Sequence, residues 1–104
     1  MKYAYCAPWQ DFYRKRELTQ NFIILILNAL GYAYLYEAND VDKAVELFKL
    51  NTELFPDIAN CWDSYGEALA KSDKKEEAIK ANEKALAIKP NLESAKNALK
   101  ELKK

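Results

Sequence analysis

The sequence predicts an all-α protein, an α-solenoid-type stack of two helical hairpins with a C-terminal capping helix and an N-terminal aromatic-rich helix or arm. Three observations carry that prediction. Ala44, Phe48, Asn51 and Pro56 recur as Ala78, Asn82, Ala85 and Pro90, each pair 34 positions apart, a period at which two-helix units stack into a solenoid. Pro56 and Pro90 fall at the same point of each unit, where a proline ends a helix: it lacks the N–H and disfavours the helical conformation of the residue before it. The last segment sets Leu92, Ala95, Leu99 and Leu102 on one helical stripe and spreads Glu93, Lys96, Lys100, Lys103 and Lys104 over the rest, the polar outer face that closes a stack.

The elements follow in order. A short helix is expected near Gln10 to Arg16, then helices near Gln20 to Ala38, Val41 to Leu54, Ile58 to Lys71, Lys74 to Ile88 and Leu92 to Leu102. Asn39 and Asp73 sit in the tight turns, where a left-handed backbone is required; after glycine, Asn and Asp adopt it at least cost. Asp57 and Asn91 are the expected N-caps of the helices that follow the prolines. Gly31 and Gly66 mark where the two helices of each hairpin meet, and Ala44, Ala78 and Ala85 are small enough to let backbones approach. Trp62, Tyr34, Leu69 and Phe48 fill the space between hairpins. Upstream of the turns the phase changes: Asn28 to Tyr32 aligns with Asp63 to Glu67 at a separation of 35, so one extra residue has entered the first unit between Gly31 and Asn39. The organisation expected is a single domain over residues 1–104, divided into an N-terminal arm (1–19), a first repeat (20–56), a second repeat (57–90) and the capping helix (91–104).

Half of the residues are apolar and 31% are charged, enough burial to offset the entropy of ordering. Sixteen basic and sixteen acidic residues cancel, which removes the long-range attraction to phosphate on which nucleic-acid binding rests. No nucleic-acid partner is expected. Leu18 to Tyr36 carries no charge, but Thr19, Gln20, Asn21, Asn28, Gly31 and three tyrosines dilute it too far for a spanning helix, and no membrane partner is expected. Cys6 and Cys61 stand 55 residues apart in a chain with no histidine, which argues against a metal site; both are expected as buried free thiols, with a single disulfide as the alternative. Nor do Ser64, Ser72 and Ser94 have an imidazole, an activating lysine motif or a GxSxG elbow beside them. The chain is expected to be no enzyme and to need no cofactor. Asp63 and Glu67 share a helix face at i and i+4, and are expected on a solvated face rather than as an acid–base pair.

Residues Asn28 to Pro90 resemble the tetratricopeptide repeat family, with Leu30, Gly31, Tyr34, Ala44, Phe48 and Pro56 in one repeat and Trp62, Gly66, Leu69, Ala78, Ala85 and Pro90 in the next. Asn51 and Asn82 depart from the pattern, standing where it has a small and an aromatic residue. A narrower likeness, through Asn28-x-Leu30-Gly31-Tyr32, Ala44-Val45-Glu46-Leu47-Phe48-x-x-Asn51 and Pro56-Asp57-x-x-Asn60-x-x-Asp63-Ser64-x-Gly66-Glu67-Ala68, is to the helical extension of some bacterial serine hydrolases, esterases and penicillin-binding-type proteins. It implies a structural appendage and transfers no activity.

The family resemblance implies a protein-interaction module that binds a peptide or partner subunit on the inner face of the first helix of each hairpin. That stripe comprises Leu25, Asn28, Tyr32, Leu35 and Tyr36 in the first repeat and Asn60, Asp63, Glu67 and Lys71 in the second. Asp63 and Glu67 would repel an acidic C-terminal peptide, so a basic or aromatic segment is the expected ligand. A competing reading has Asn28, Asn60 and Asp63 bonding one another between hairpins. Tyr3, Tyr5, Trp9, Phe12 and Tyr13 are expected to fold back over Leu25, Tyr32 and Tyr36, the alternative being that they dock on another chain. Two repeats fall below the roughly three that usually make a stable stack, so a homodimer or a neighbouring domain is expected to supply the missing burial.

Overall fold

A computed structural model describes residues 8–103, with side chains from Gln20 onward. The described residues form helices joined by short connections: α1 (Pro8–Tyr32) runs into a π-helical turn (Ala33–Glu37), followed by α2 (Val41–Leu54), α3 (Ala59–Lys71), α4 (Lys75–Ile88) and α5 (Glu93–Leu102). Each helix packs on the next, giving an elongated stack of 62 × 31 × 18 Å. Of the expected helices, α2 has the expected ends and α3 to α5 each start one residue late. The first two form one helix: Glu17, Leu18 and Thr19 contain no glycine or proline, so nothing interrupts the hydrogen-bond ladder between Arg16 and Gln20. This corrects the N-terminal reading, because Trp9, Phe12 and Tyr13 lie in α1 and are carried along its axis away from Leu25 and Tyr32. Tyr3, Tyr5 and Cys6 lie outside the described residues.

The surplus residue of the first repeat is located by the hydrogen bonds that close the two turns. In the second hairpin Lys74 N donates to Leu69 O at 2.9 Å and Asp73 N to Ala70 O at 3.3 Å, with Asp73 at φ 62°, the bond pair of a Schellman ending. In the first hairpin the equivalent bond runs from Asp40 N to Tyr34 O at 2.8 Å and spans one residue more. The helix takes up that residue by widening: Ala38 N donates to Ala33 O at 2.9 Å, an i→i+5 bond in place of i→i+4. Asn39 then turns the chain at φ 58°, as expected of it, and Asp40 caps α2 by accepting from Lys43 N at 3.3 Å. Asp57 and Asn91 are not N-caps; those positions belong to Ile58 and Leu92, which offer no side-chain bond.

The core is assembled from small residues and a few large ones. Ala44, Ala68, Ala78, Ala85 and Ala95 have no exposure, nor does Phe48, and Leu69 has almost none. Leu35, Ala44, Phe48 and Ala68 form the centre of the first hairpin and its junction with the second, flanked by Tyr32, Tyr34, Val45 and Tyr65. Leu69, Ala78 and Ala81 continue it, and Ala59, Ala85 and Ala95 join α3, α4 and α5. Trp62 lies across the last two clusters and ties its indole N–H to Pro56 O at 2.9 Å. Both glycines sit at closest approaches. A Cβ on Gly31 would stand 2.6 Å from Phe48 Cζ, and one on Gly66 2.7 Å from Asn82 Nδ2. Phe48 and Asn82 are the same position of the repeat, so each hairpin is closed by one contact between a glycine of its first helix and a side chain of its second.

Gly31→Ala is expected to destabilise the fold by roughly 1–3 kcal/mol, the usual cost of overpacking. Phe48→Ala should cost about 3–5 kcal/mol. Because the two positions touch, Phe48→Leu should recover part of the Gly31→Ala loss, and urea unfolding of both single variants and the double variant measures that coupling.

Candidate peptide-binding groove

Tyr36, at the π-helical turn, stands opposite the middle of α3, and α5 lies along the other side of α3. Between them runs an open groove of about 550 Å³ lined by Tyr36, Asp63, Glu67, Lys71, Asn97 and Glu101 among others, with Gly66 and Asn82 also in its lining. The residues read from the sequence as a contact stripe distribute unevenly over this surface. Tyr36, Asp63, Glu67 and Lys71 line the groove. Tyr32 sits one turn behind Tyr36, half-buried, its ring stacked at 6.1 Å and 7° on that of Tyr36 and edge-on to Phe48 at 5.0 Å. Leu25 is exposed farther along α1. Asn60 is exposed beside a separate shallow depression with Ile88 and Lys89. Asn28 is turned toward α2, where Asn51 Nδ2 reaches its Oδ1 at 3.5 Å and Ile24 O at 3.4 Å. Leu35 is a core residue with 3% exposure, which removes it from the contact surface. The reason is the π turn, which rotates everything after Tyr32 relative to a regular helix and swings Leu35 onto Ala44 and Phe48.

The sequence also holds residues of this groove that the stripe omitted: Ser94, Asn97 and Glu101 of α5, the helix expected as a cap. The signal for them is the repeat itself, since they follow Asn60, Asp63 and Glu67 by 34 positions. α5 is therefore placed as the first helix of a further unit and presents the same face.

The groove is acidic, and its acids are held in place. Glu67 accepts from Tyr32 Oη at 3.2 Å and from Tyr36 Oη through a short bond. Tyr32 Oη also lies 3.0 Å from Ser64 Oγ. The carboxylate holds the Tyr36 proton, and with some burial this pushes the hydroxyl up to about 12. Burial pushes Tyr32 up too, against the pull of Ser64 and with the help of the Glu67 charge. Asp63 accepts from Ser94 Oγ at 2.5 Å; burial raises its carboxyl, the serine bond opposes this, and the Glu67 charge adds to it. Asp63 and Glu67 are thus half-buried on a groove wall, not on a solvated face, and the expected bonding of Asp63 with Asn28 and Asn60 is replaced by its bond to Ser94. Lys71 Nζ stands 5.1 Å over the Tyr36 ring, an attractive cation–π placement. Ser64 is bonded to the Tyr32 hydroxyl and Ser94 to the Asp63 carboxylate. The chemistry this arrangement offers is hydrogen-bond acceptance and attraction of cations.

Comparison with known proteins bears on what such a groove serves. No family model matches the chain. It is 38% identical over 68 residues to a peroxisomal targeting signal receptor of Candida albicans, a match that covers 64% of this chain and 12% of the receptor. The receptor of the same name from Kluyveromyces lactis matches at 38% over 68 residues with the same coverage. That of Candida glabrata matches at 35% over 89 residues, 77% of this chain and 15% of the receptor. The chain therefore spans a small part of the curated relatives it matches. These relatives are named as receptors and none as a hydrolase, so the narrower likeness to a hydrolase extension finds no support. The helical stack is compatible with tetratricopeptide repeats, and among the described residues no helix is long and apolar enough to cross a membrane.

Two measurements check the electrostatics. The Tyr36 hydroxyl is an acid whose folded value lies above its ordinary 10.0. Its bond to Glu67 therefore contributes stability that is whole below pH 10 and is lost as the pH rises through about 12. Tyr36→Phe should remove that alkaline loss and delete a tyrosinate that forms near pH 12 from an ultraviolet titration. Burial pushes the Cys61 thiol up to about 11. In a Cys6→Ser chain at neutral pH, a thiol reagent should react with Cys61 at the rate of unfolding, and quickly once denaturant is added.

Proposed function

We propose that this chain is a non-catalytic protein-interaction module of tetratricopeptide type, receiving an extended peptide whose basic side chain enters the groove between α3 and α5. The observation that carries the reading is the pair Asp63 and Glu67, two carboxylates half-buried on one wall with Glu101 across from them and a single lysine, Lys71, at the Tyr36 end. A carboxylate held against tyrosine and serine hydroxyls is already desolvated and positioned, so an incoming ammonium or guanidinium meets acceptors that need little rearrangement. The apolar bodies of Tyr36, Ala70, Ala98 and Leu102 would cover the stem of such a side chain. The relatives support the class of activity: they are receptors for a targeting signal, and a short segment is what a groove of this size holds. An acidic peptide is disfavoured by the same charges.

The test is fluorescence anisotropy with labelled octapeptides that differ only in a central residue, Lys, Arg, Tyr, Ala or Glu. The Lys and Arg peptides should bind at least tenfold more tightly than the Glu peptide, about 1.4 kcal/mol, with an affinity that falls as salt is raised. Glu67→Gln and Asp63→Asn should each remove most of that preference. Equal binding of the Lys and Glu peptides, or a preference unchanged in both variants, contradicts the reading.

A further inference from the structure

Around α1 the residues divide sharply. Ile24, Leu27, Asn28 and Gly31 face the hairpin, whereas Phe22, Ile23, Ile26, Ala29 and Leu30 are exposed on the opposite arc, Phe22 by 64% and Ile26 by 44%. The repeat shows what this arc is built for. Thirty-five positions on, the counterparts of Ile26, Ala29 and Leu30 are Cys61, Ser64 and Tyr65 of α3. Cys61 and Ser64 are buried and Tyr65 is half-buried against the first hairpin. The surface by which α3 joins a preceding hairpin is thus present on α1 in aliphatic residues, and among the described residues nothing lies against it.

We propose that a second copy of this chain covers that arc, in a two-fold contact of α1 against α1 running antiparallel. The charge pattern selects the occupant. From Leu18 to Tyr36 the sequence is uncharged, so a two-fold contact along it, which sets residue i against residue j and j against i and only the residues at the axis against their twins, meets no charge repulsion. Head-to-tail growth would instead press the arc onto the far end of the stack, where Glu93, Lys96, Lys100 and Lys103 are exposed, and would bury their charges. The antiparallel sense follows from the flanks. With the axis between Leu25 and Ile26, Arg14 of one copy lies level with Glu37 of the other, whereas a parallel pair would set Arg14, Lys15 and Arg16 beside themselves. The length of α1 agrees: 25 residues against 14 in α2 make about 37 Å against about 21 Å, so its N-terminal part projects beyond the hairpin. An isolated helical extension is marginal without packing, and the second copy supplies it.

Sedimentation equilibrium over a concentration series tests this. The chain should have twice its 12.0 kDa mass, and Phe22→Lys and Ile26→Lys should each raise the dimer dissociation constant at least tenfold. Both side chains are exposed in the single chain, so circular dichroism of the separated variants should keep the helical signal of α2 to α5 and lose at most that of the N-terminal part of α1. In a Cys6→Ser chain, Ile26→Cys should form an intermolecular disulfide across the axis and Phe22→Cys should not. A mass of 12.0 kDa at every concentration, growth beyond the dimer, a dimer indifferent to both lysines, or crosslinking through Phe22→Cys overturns the proposal.

Discussion

The constraint on which the rest of the structure depends is the accommodation of one surplus residue in the first hairpin. Without it, α1 would carry Tyr36 and Leu35 at the rotation of a regular helix, and the turn at Asn39 would be out of register with α2. The widened turn between Ala33 and Ala38 absorbs the extra residue where both ends are fixed: Gly31 is pinned by Phe48 upstream, and Asn39 by its left-handed backbone downstream. Leu35 thereby enters the core, and Tyr36 is brought to Glu67 on the neighbouring hairpin. A single insertion so converts what would be a repeat of the second hairpin into a wall of the groove.

The two hairpins solve their closest approach differently. In the first, a phenylalanine ring lies over glycine; in the second, a carboxamide does. Asn82 satisfies its amide nitrogen through Ala78 O at 3.0 Å, but its oxygen, like that of Asn51, has no partner among the described residues. A buried acceptor without a hydrogen bond costs on the order of 1–3 kcal/mol, and each hairpin carries one such cost, at Asn51 in the first and at Asn82 in the second. What offsets it in the second is the burial of Trp62, Leu69 and the alanines on either side of it, and the continuation of the stack into α5.

Much of this architecture is legible in the sequence because the repeat period, the prolines and the two left-handed turns are local signals with steric causes. The position of the insertion was bounded by the change of phase between Gly31 and Asn39, though not its form, since a sequence shows a surplus residue and not whether a loop or a helix absorbs it. Leu35 was misplaced for that reason: a stripe drawn at regular helical spacing does not survive a π turn. The expected division of α1 into two helices has no steric cause in the sequence, because Glu17, Leu18 and Thr19 do not break helices. The caps at Asp57 and Asn91 were placed one residue early, next to prolines whose restriction on the preceding backbone is sharper than their effect on where the next helix starts. For the groove, Tyr36, Asp63, Glu67 and Lys71 were on the expected stripe, while the α5 wall was missed because a helix with a strongly polar face satisfies the description of a cap and of a further repeat equally.

The functional argument stands on that geometry, because the acids of the groove matter only if α1 delivers Tyr32 and Tyr36 to Glu67. The decisive measurement is therefore of the turn itself. A long-range nuclear magnetic resonance experiment that detects scalar coupling across hydrogen bonds reports which carbonyl each amide bonds. The account predicts a correlation from the Ala38 amide to the Ala33 carbonyl, and from Asp40 to Tyr34. A correlation from Ala38 to Tyr34 instead would mean a regular helix, a surplus residue held elsewhere, and a Tyr36 that does not face Glu67.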